Sequence, residues 1–365
     1  SVTAGDLNPT RAKQLRANLA AWFAQERREL PWRENRDPYR IWISEAMLQQ
    51  TRVETVIAYF ERFLARFPRI EDLAGADEDD VLGLWSGLGY YSRARKLREA
   101  AIAVVRDHCG EFPRTRADAL ALPGVGPYTA GAVLSIAFDL PEPLVDGNVQ
   151  RVFARLFALR DVAGGGPLQK KLWAFAEQLV PKDGGAGDWN QSLMELGATV
   201  CTPREPRCDS CPVAKLCRAK ELGIARELPV PAPRKKPTDV KLQIFVAARA
   251  GELLLEKRPP KGRMAGLWQF PTLETSPGDA LFPTEFDGAA ERLKPGDSIG
   301  ELRHAITRYA IRAEILAAEM AGRLPANWRW FQLDELAEAP LTGMAKKVLA
   351  KREKAKSLSV STSSP

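Results

Sequence analysis

Long apolar runs are missing from this 365-residue chain. No stretch of about 18 consecutive apolar residues occurs, so the sequence predicts no membrane-spanning helix. The first residues, Ser1 to Arg16, are polar and lack the apolar core of a secretory signal, which sets the expectation of a protein of the cell interior. Cysteine is scarce, five residues in all, and a chain of this length buries a large core without disulfides, which excludes a secreted mini-scaffold. There is no internal repeat. Apolar residues make up 45% and charged residues 27%, which excludes wholesale disorder and collagen. At roughly 150 residues per domain, two or three domains are expected.

Charge is mildly unbalanced, with 53 Lys and Arg against 46 Asp and Glu, or +7. That excess permits a polyanionic partner but does not require one. Two clusters stand out. Between Cys201 and Lys241 there are ten Lys/Arg and five Asp/Glu, a local +5. Arg93, Arg95, Lys96 and Arg98 follow the aromatic pair Tyr90 and Tyr91. Cations beside aromatics suit a surface that meets phosphates and stacks on bases, and equally a solvated helix face.

The chain reads as two halves. From Leu15 to Leu222 apolar residues recur at helical steps, as in Val53, Val56, Ile57, Phe60, Leu64 and Phe67, and Pro68 ends that run. Similar patterns cover Ala100–Val105, Ala130–Ala137, Val149–Leu159 and Leu168–Leu179. An all-α domain over 8–228 is predicted. Residues 229–240, rich in Pro and basic residues, predict an extended linker. Beyond it, Leu242–Ala247 and Leu253–Lys257 flank a turn at Gly251 like a hairpin, and Tyr309, Ile311, Ala313 and Ile315 alternate as in a half-buried strand. Met344–Lys351 reads as a closing helix. An α+β domain over 241–353 and a disordered Ser-rich tail over 354–365 are expected.

Four of the five cysteines, Cys201, Cys208, Cys211 and Cys217, are spaced C-x6-C-x2-C-x5-C. Four close thiolates point to a metal site, and the spacing alone suits zinc or a [4Fe–4S] cluster. A disulfide pair is disfavoured by a reducing compartment. Cys109 stands apart as a small hydrophobe. Within Leu122–Val133, Gly124 and Gly126 precede a helical run. There the backbone N–H groups and the positive helix end suit a phosphate, although a plain tight turn has the same signature.

Two carboxyls draw notice. Glu45 lies among Ile41, Trp42, Ile43, Met47 and Leu48, where desolvation would raise its pKa and keep a proton on it near neutrality. Asp146 precedes Gly147 at the start of a predicted helix, where N–H groups and the dipole favour the anion. One protonated and one ionised carboxyl is the pairing that breaks glycosidic bonds. Each also has a structural reading, Asp146 as a helix cap and Glu45 as a solvated helix residue.

Taken together, Leu122–Val133, the Val145–Val149 segment and the four-cysteine spacing resemble the helix-hairpin-helix DNA glycosylase superfamily. Leu30–Arg33 (LPWR), Ser44–Thr51 (SEAMLQQT) and Gly87–Arg93 (GLGYYSR) are similar to the MutY-type adenine DNA glycosylases, in order and over nearly the whole chain. The resemblance implies removal of adenine mispaired with 8-oxoguanine or guanine in double-stranded DNA, as a monomer at the bacterial nucleoid. It implies that the four cysteines hold [4Fe–4S]. It matches Glu45 and Asp146 to the catalytic pair: Glu45 would protonate adenine at N7 in an extruded nucleoside, and Asp146 would stabilise charge at C1′ or engage it directly. Tyr128 and Asn148 would order the site. Arg28, Trp32, Arg33 and Gln191 would line the adenine pocket, Gln50 and Tyr90 would enter the base stack, and Gly124 and Gly126 would meet phosphate.

Related endonuclease III-like lyases carry a lysine at the hairpin position of Tyr128, and its amine forms a Schiff base. Pro127 and Tyr128 offer no amine, which predicts a monofunctional glycosylase. Leu255–Pro271 resembles the Nudix-like C-terminal domain of the family, and no Glu-rich Mg²⁺-binding helix follows, so lesion recognition is expected rather than nucleotide hydrolysis. One departure stands here. Where relatives carry a Phe-Ser-His loop after an earlier His, this chain has His304, Ala305, Ile306, Thr307 and Arg308. Thr307 keeps a hydroxyl and Arg308 a cation for the lesion or a phosphate. The competing readings are a lyase acting on oxidised pyrimidines and a non-enzymatic, metal-stabilised DNA-binding protein with Glu45 and Asp146 idle.

Overall fold

The computed structural model describes residues 7–233, 236–260, 262, 264–275 and 292–361, with side chains to residue 353. Residues 1–6, Arg234 and Lys235 of the expected linker, much of the segment after Pro271 and residues 362–365 lie outside that description. The chain divides into two compact units, one of Ser1–Gly75 with Lys96–Pro233, the other of Ala76–Arg95 with Arg234–Pro365.

The first unit is helical. Its elements are α1 (Pro9–Glu26), α2 (Pro38–Leu48), α3 (Val53–Arg66) and α4 (Ile70–Ala74). After α5 (Glu78–Trp85), which falls in the second unit, and α6 (Ser92–Asp107) come α7 (Arg116–Ala121), α8 (Pro127–Phe138), α9 (Gly147–Leu156), α10 (Gly166–Leu179), α11 (Ala186–Thr199) and α12 (Arg218–Glu221). Prolines open α1, α2 and α8, where a missing N–H costs nothing, and Asn8 and Asp37 cap the first two. The apolar stripe of α3 buries Val56, Phe60, Phe63 and Leu64. By contrast, α2 and α8 are apolar nearly all round and so lie in the interior, packed on each other. Phe157 stacks on Phe175 at 4.0 Å.

Between α7 and α8 the chain reverses at Gly124, whose φ of +76° is a left-handed conformation that disfavours any side chain. A Cβ there would also lie 2.6 Å from that of Lys96. Cys109, read as a small hydrophobe, is exposed in the turn after α6.

In the second unit a mixed sheet runs β3-β2-β1-β6-β5, with β4 (Thr272–Glu274) paired to β1 and β7 (Trp328–Gln332) to β2. The hairpin of β1 (Thr238–Arg249) and β2 (Glu252–Lys257) is antiparallel, whereas β1 and β6 (Tyr309–Met320) are parallel. β3 (Trp268–Gln269) and β5 (Leu293–Ile306) form the edges. Alternation sends Val240, Leu242, Ile244, Ile311 and Ile315 into one core layer, while Phe245, Leu254 and Leu316 fill a second on the other face. The helix α13 (Gly343–Ser361) adds Met344, Ala345 and Val348 to the first layer. It continues through the start of the stretch expected as a disordered tail, because the Lys-, Arg-, Glu- and Ala-rich run before the serines favours helix. Residues 76–95 belong to this unit: Tyr91 Oη donates to Leu341 O at 3.3 Å, and Lys257 pairs with Asp79 at 2.9 Å. No helix among the described residues is long and apolar enough to cross a membrane.

Glu256 is buried on β2, where it accepts a 2.6 Å hydrogen bond from Gln269 Nε2. Burial lifts its pKa to about 7, against the opposing Gln269 bond and Arg258 charge. A carboxyl raised on folding weakens the fold as it ionises, so stability is full below its unfolded pKa, about 4.5, and declines as pH rises through about 7. Glu256→Gln should therefore reduce the loss of urea stability between pH 5 and pH 8 seen in the native protein. An equal loss in the variant would show that Glu256 is not the group responsible.

Candidate active site

A cavity of about 550 Å³ opens in the first unit, with Glu45, Tyr128, Asp146 and Asn148 on its wall. Glu45 is only 4% exposed, because α2 carries it into the interior along with Ile41 to Met47. Burial is the main cause that lifts its pKa to about 7. The Tyr128 hydrogen bond and the Arg33 charge oppose the rise, and the Asp146 charge assists it. The Tyr128 hydroxyl donates to Glu45 Oε2, and its oxygen lies 3.6 Å from Met194 Sδ. Tyr128 stands in the first turn of α8, so the glycine hairpin that starts this helix also delivers the phenol to the carboxyl.

Asp146 is the N-cap of α9. Its Oδ1 accepts from Val149 N at 2.7 Å and its Oδ2 from Asn148 Nδ2 at 2.9 Å. The sequence suggested a carboxylate favoured as the anion by these donors. Instead, burial outweighs the Val149 and Asn148 bonds and the Arg151 charge, and the pKa is raised. The difference arises because a helix start inside a cavity loses more hydration than its N–H groups return. Asn148 is fixed in turn: Arg151 Nη2 donates to Asn148 Oδ1 and to Gly197 O, both at 2.7 Å, and Arg151 Nε donates to Cys201 O at 2.7 Å. A Cβ on Gly197 would come within 2.5 Å of the Asn148 Cβ, so this glycine lets α11 close on α9.

Arg28, Trp32, Arg33, Gln191 and Gln50 line the same cavity. Trp32 is buried edge-on against Phe60. Arg28 makes a two-point contact with Glu195, Nε to Oε1 at 2.7 Å and Nη2 to Oε2 at 3.0 Å, and Arg33 Nη2 adds a contact to Oε2 at 2.9 Å. Burial pushes the Glu195 carboxyl up, but the hydrogen bonds from the two guanidiniums prevail and hold it at about 2. Glu195 and Arg151 escaped the sequence reading. The signals were the four-residue step from Gln191 to Glu195, one face of a helix, and the two arginines beside Trp32 that need a counter-charge.

A second cavity of about 550 Å³ lies in the second unit, lined by Tyr90, Met264, His304, Ile306, Thr307 and Lys346. Tyr90 is 48% exposed. Arg308 does not line this cavity; its guanidinium lies over the Tyr309 ring at 5.2 Å. Gly124 and Gly126 stay at the hairpin before α8, with Gly126 as its N-cap.

Cys201, Cys208, Cys211 and Cys217 line one small cavity together with Arg155, Arg207 and Lys220. Burial, with the neighbouring sulfurs adding to it, pushes the Cys211 thiol up to about 12. Among the described residues no three His, Cys, Asp or Glu side chains are grouped to hold a single metal ion.

Residues 43–178 match the profile of HhH-GPD superfamily base excision DNA repair proteins, and residues 243–351 that of the NUDIX domain. The chain is 36% identical to the adenine DNA glycosylase of Rattus norvegicus, covering 91% of this chain and 77% of that protein. It is 35% identical to that of Homo sapiens, over 91% of this chain and 73% of the other. Among solved structures, a thermostable thymine-DNA glycosylase superposes with a TM-score of 0.52 at 35% identity, over 58% of this chain and 98% of its own. A non-covalent endonuclease III–DNA complex shares the fold at 24% identity and a TM-score of 0.50, over 60% of this chain and 99% of its own. With two independent profiles in sequence and relatives matched along nine-tenths of its length, the chain belongs to the adenine DNA glycosylase family of helix-hairpin-helix base excision repair proteins.

Proposed function

We infer that the protein is a monofunctional glycosylase that hydrolyses the N-glycosidic bond of adenine paired with 8-oxoguanine or guanine in duplex DNA, and acts as a monomer. The observation that carries this reading is one cavity wall holding two carboxyls in different settings. Glu45 is poised near neutrality and hydrogen-bonded by a phenol, while both oxygens of Asp146 are taken up by N–H donors.

The glycosidic bond is out of reach inside a duplex, so the nucleoside is extruded into the cavity. Glu45 retains its proton in a large fraction of molecules at neutral pH. It transfers that proton to adenine N7, and the C1′–N9 bond breaks as its electron pair leaves with the neutral base. Asp146, whose donors suit it as an acceptor, faces the positive charge that grows on the sugar. Water then adds at C1′ and gives its proton to the ionised Glu45, leaving an abasic site and restoring the acid. Tyr128 holds Glu45 in place, Asn148 holds Asp146, and the Arg28–Arg33–Glu195 cluster gives the base pocket a fixed polar wall. Gln50 and Tyr90 enter the base stack, Gly124 and Gly126 meet a phosphate, and Thr307, with Arg308 beside it, serves recognition of the opposite base.

The four cysteines line one cavity with Arg155, Arg207 and Lys220, and their spacing resembles that of the family's [4Fe–4S] loop; these basic groups would offset the negative charge of the cluster. Cys201, Cys208, Cys211 and Cys217 would hold it. Such a group, when bound, cross-links the loop and supplies a redox-active centre.

Three outcomes test this reading. The single-turnover rate of adenine release should fall as pH rises through about 7, as Glu45 loses its proton, and Glu45→Gln should cost about 10²–10⁴-fold. A variant as fast as the native protein would remove Glu45 as the acid. Borohydride added during turnover should trap little covalent enzyme–DNA adduct, whereas efficient trapping would show an amine nucleophile and a lyase. Thr307→Ala should narrow the preference for adenine opposite 8-oxoguanine over adenine opposite guanine, and an unchanged ratio would exclude Thr307 from recognition.

A further inference from the structure

Arg155 on α9 is 1% exposed, and the partners of its guanidinium are unusual for a buried cation. Nε donates to Leu228 O at 2.9 Å, Nη2 to Pro203 O at 2.9 Å, and Nη1 to Thr202 O at 2.7 Å and Cys201 O at 3.2 Å. The remaining contact is to sulfur, Nη1 to Cys201 Sγ at 3.3 Å. Its own carbonyl meets a second member of the set, accepting from Cys217 Sγ at 3.5 Å. No carboxylate pairs with Arg155 among the described residues.

Four carbonyl dipoles satisfy the N–H groups of this side chain, but they supply no net negative charge. A full charge removed from water without an opposite charge is strongly disfavoured. The other cations on the cavity differ. Arg207 donates to Thr199 O and Lys220 to Cys208 O, both from exposed settings, and neither contacts a sulfur. Arg151 reaches the carbonyl of Cys201, not its sulfur, and spends its other contacts on Asn148 and Gly197.

We propose that Arg155 is the buried counter-charge of the cluster held by the four cysteines and sets its reduction potential. The inference rests on the [4Fe–4S] reading above. Four thiolates around a cluster carry a net negative charge that changes by one when an electron is lost. A fixed cation on one ligand sulfur stabilises the more negative state and so resists oxidation. The N–H···S contact withdraws electron density from the sulfur in the same direction.

The test compares native holoprotein with Arg155→Lys, which keeps the charge, and Arg155→Gln, which keeps a donor but not the charge. Iron and sulfide content are measured first, then the cluster midpoint by voltammetry. Native protein should hold about four irons per chain, the number in a [4Fe–4S] cluster. At the native midpoint, Arg155→Gln should raise the oxidised-to-reduced ratio at least tenfold, a shift of about 59 mV to lower potential for one electron, and Arg155→Lys should move it less. A fully loaded Arg155→Gln protein with the native midpoint overturns the role of Arg155 alone. Native protein without iron overturns the cofactor reading and this inference with it. Should Arg155→Gln fail to fold, native protein labelled with ¹⁵N-arginine decides the matter. A ¹⁵N coupling to the paramagnetic cluster that is present in native protein and lost in Arg155→Lys supports the contact, and a coupling that is absent from native protein or survives in Arg155→Lys overturns it.

Discussion

Desolvation of a single carboxyl sets the chemistry of the first cavity. Glu45 sits where a leucine would be expected, in the midst of a helix that buries Ile41, Trp42, Ile43 and Met47. An ionised carboxylate there costs several kcal/mol, so the protein keeps the group close to its neutral form. The Tyr128 hydroxyl is the compromise: it satisfies an oxygen of the carboxyl without bringing a charge that would pull the pKa back to the usual range. A lysine at the same place would add a cation beside Glu45, holding it ionised and useless as an acid near neutrality. The absence of an amine at position 128 thus bears on the acid as much as on strand cleavage.

The second carboxyl is built differently. Asp146 owes its position to a relay of short contacts running from the cysteine loop through Arg151 to Asn148, with Gly197 admitting the close helix approach. Each link is a side chain whose rotamer is fixed by two or more hydrogen bonds, so the orientation of the carboxylate is settled before any substrate arrives. The cysteine loop, which contributes nothing to the cavity wall, follows directly on the helix that carries Gln191 and Glu195. It anchors one end of the arrangement.

Much of this was legible in the sequence, and the misses have causes. Helical and alternating periods located the stripe of α3 and the buried faces of β1 and β6, since both reflect burial on one side. Motifs of four to eight residues singled out side chains that share the first cavity. What periodicity does not carry is pairing across the chain. Glu195 meets Arg28 and Arg33 across more than 160 residues, and its four-residue step from Gln191 marks a helix face without naming those partners. Residues 76–95 read as ordinary helix and cluster with the second unit through Tyr91, Asp79 and Arg95, contacts to partners 170 or more positions away. The proton affinity of Asp146 went the other way from expectation because a helix dipole is local and burial is not.

Backbone strain gives an independent pointer to the surfaces that act. Eight residues other than glycine adopt positive φ among those described; Cys109, Asp139, Ala158 and Ala250 are small, and Met264 is a long apolar residue on the second cavity. Gln50, Tyr90 and Thr307 complete the set. A β-branched residue at φ 51° in a two-residue hairpin is held at a cost of about 1–3 kcal/mol, where glycine or asparagine would be nearly free. Tyr90 combines φ 48° with a half-exposed ring that gains nothing from the core. Stability alone would replace all three. A left-handed backbone at each makes the side chain project at a fixed angle from a rigid turn, as a group that enters a base stack or reads a base would. The same reasoning separates Thr307 from Arg308. The arginine lies back on Tyr309 in an ordinary conformation, whereas the threonine is the hairpin residue whose placement is costly, and it faces the second cavity.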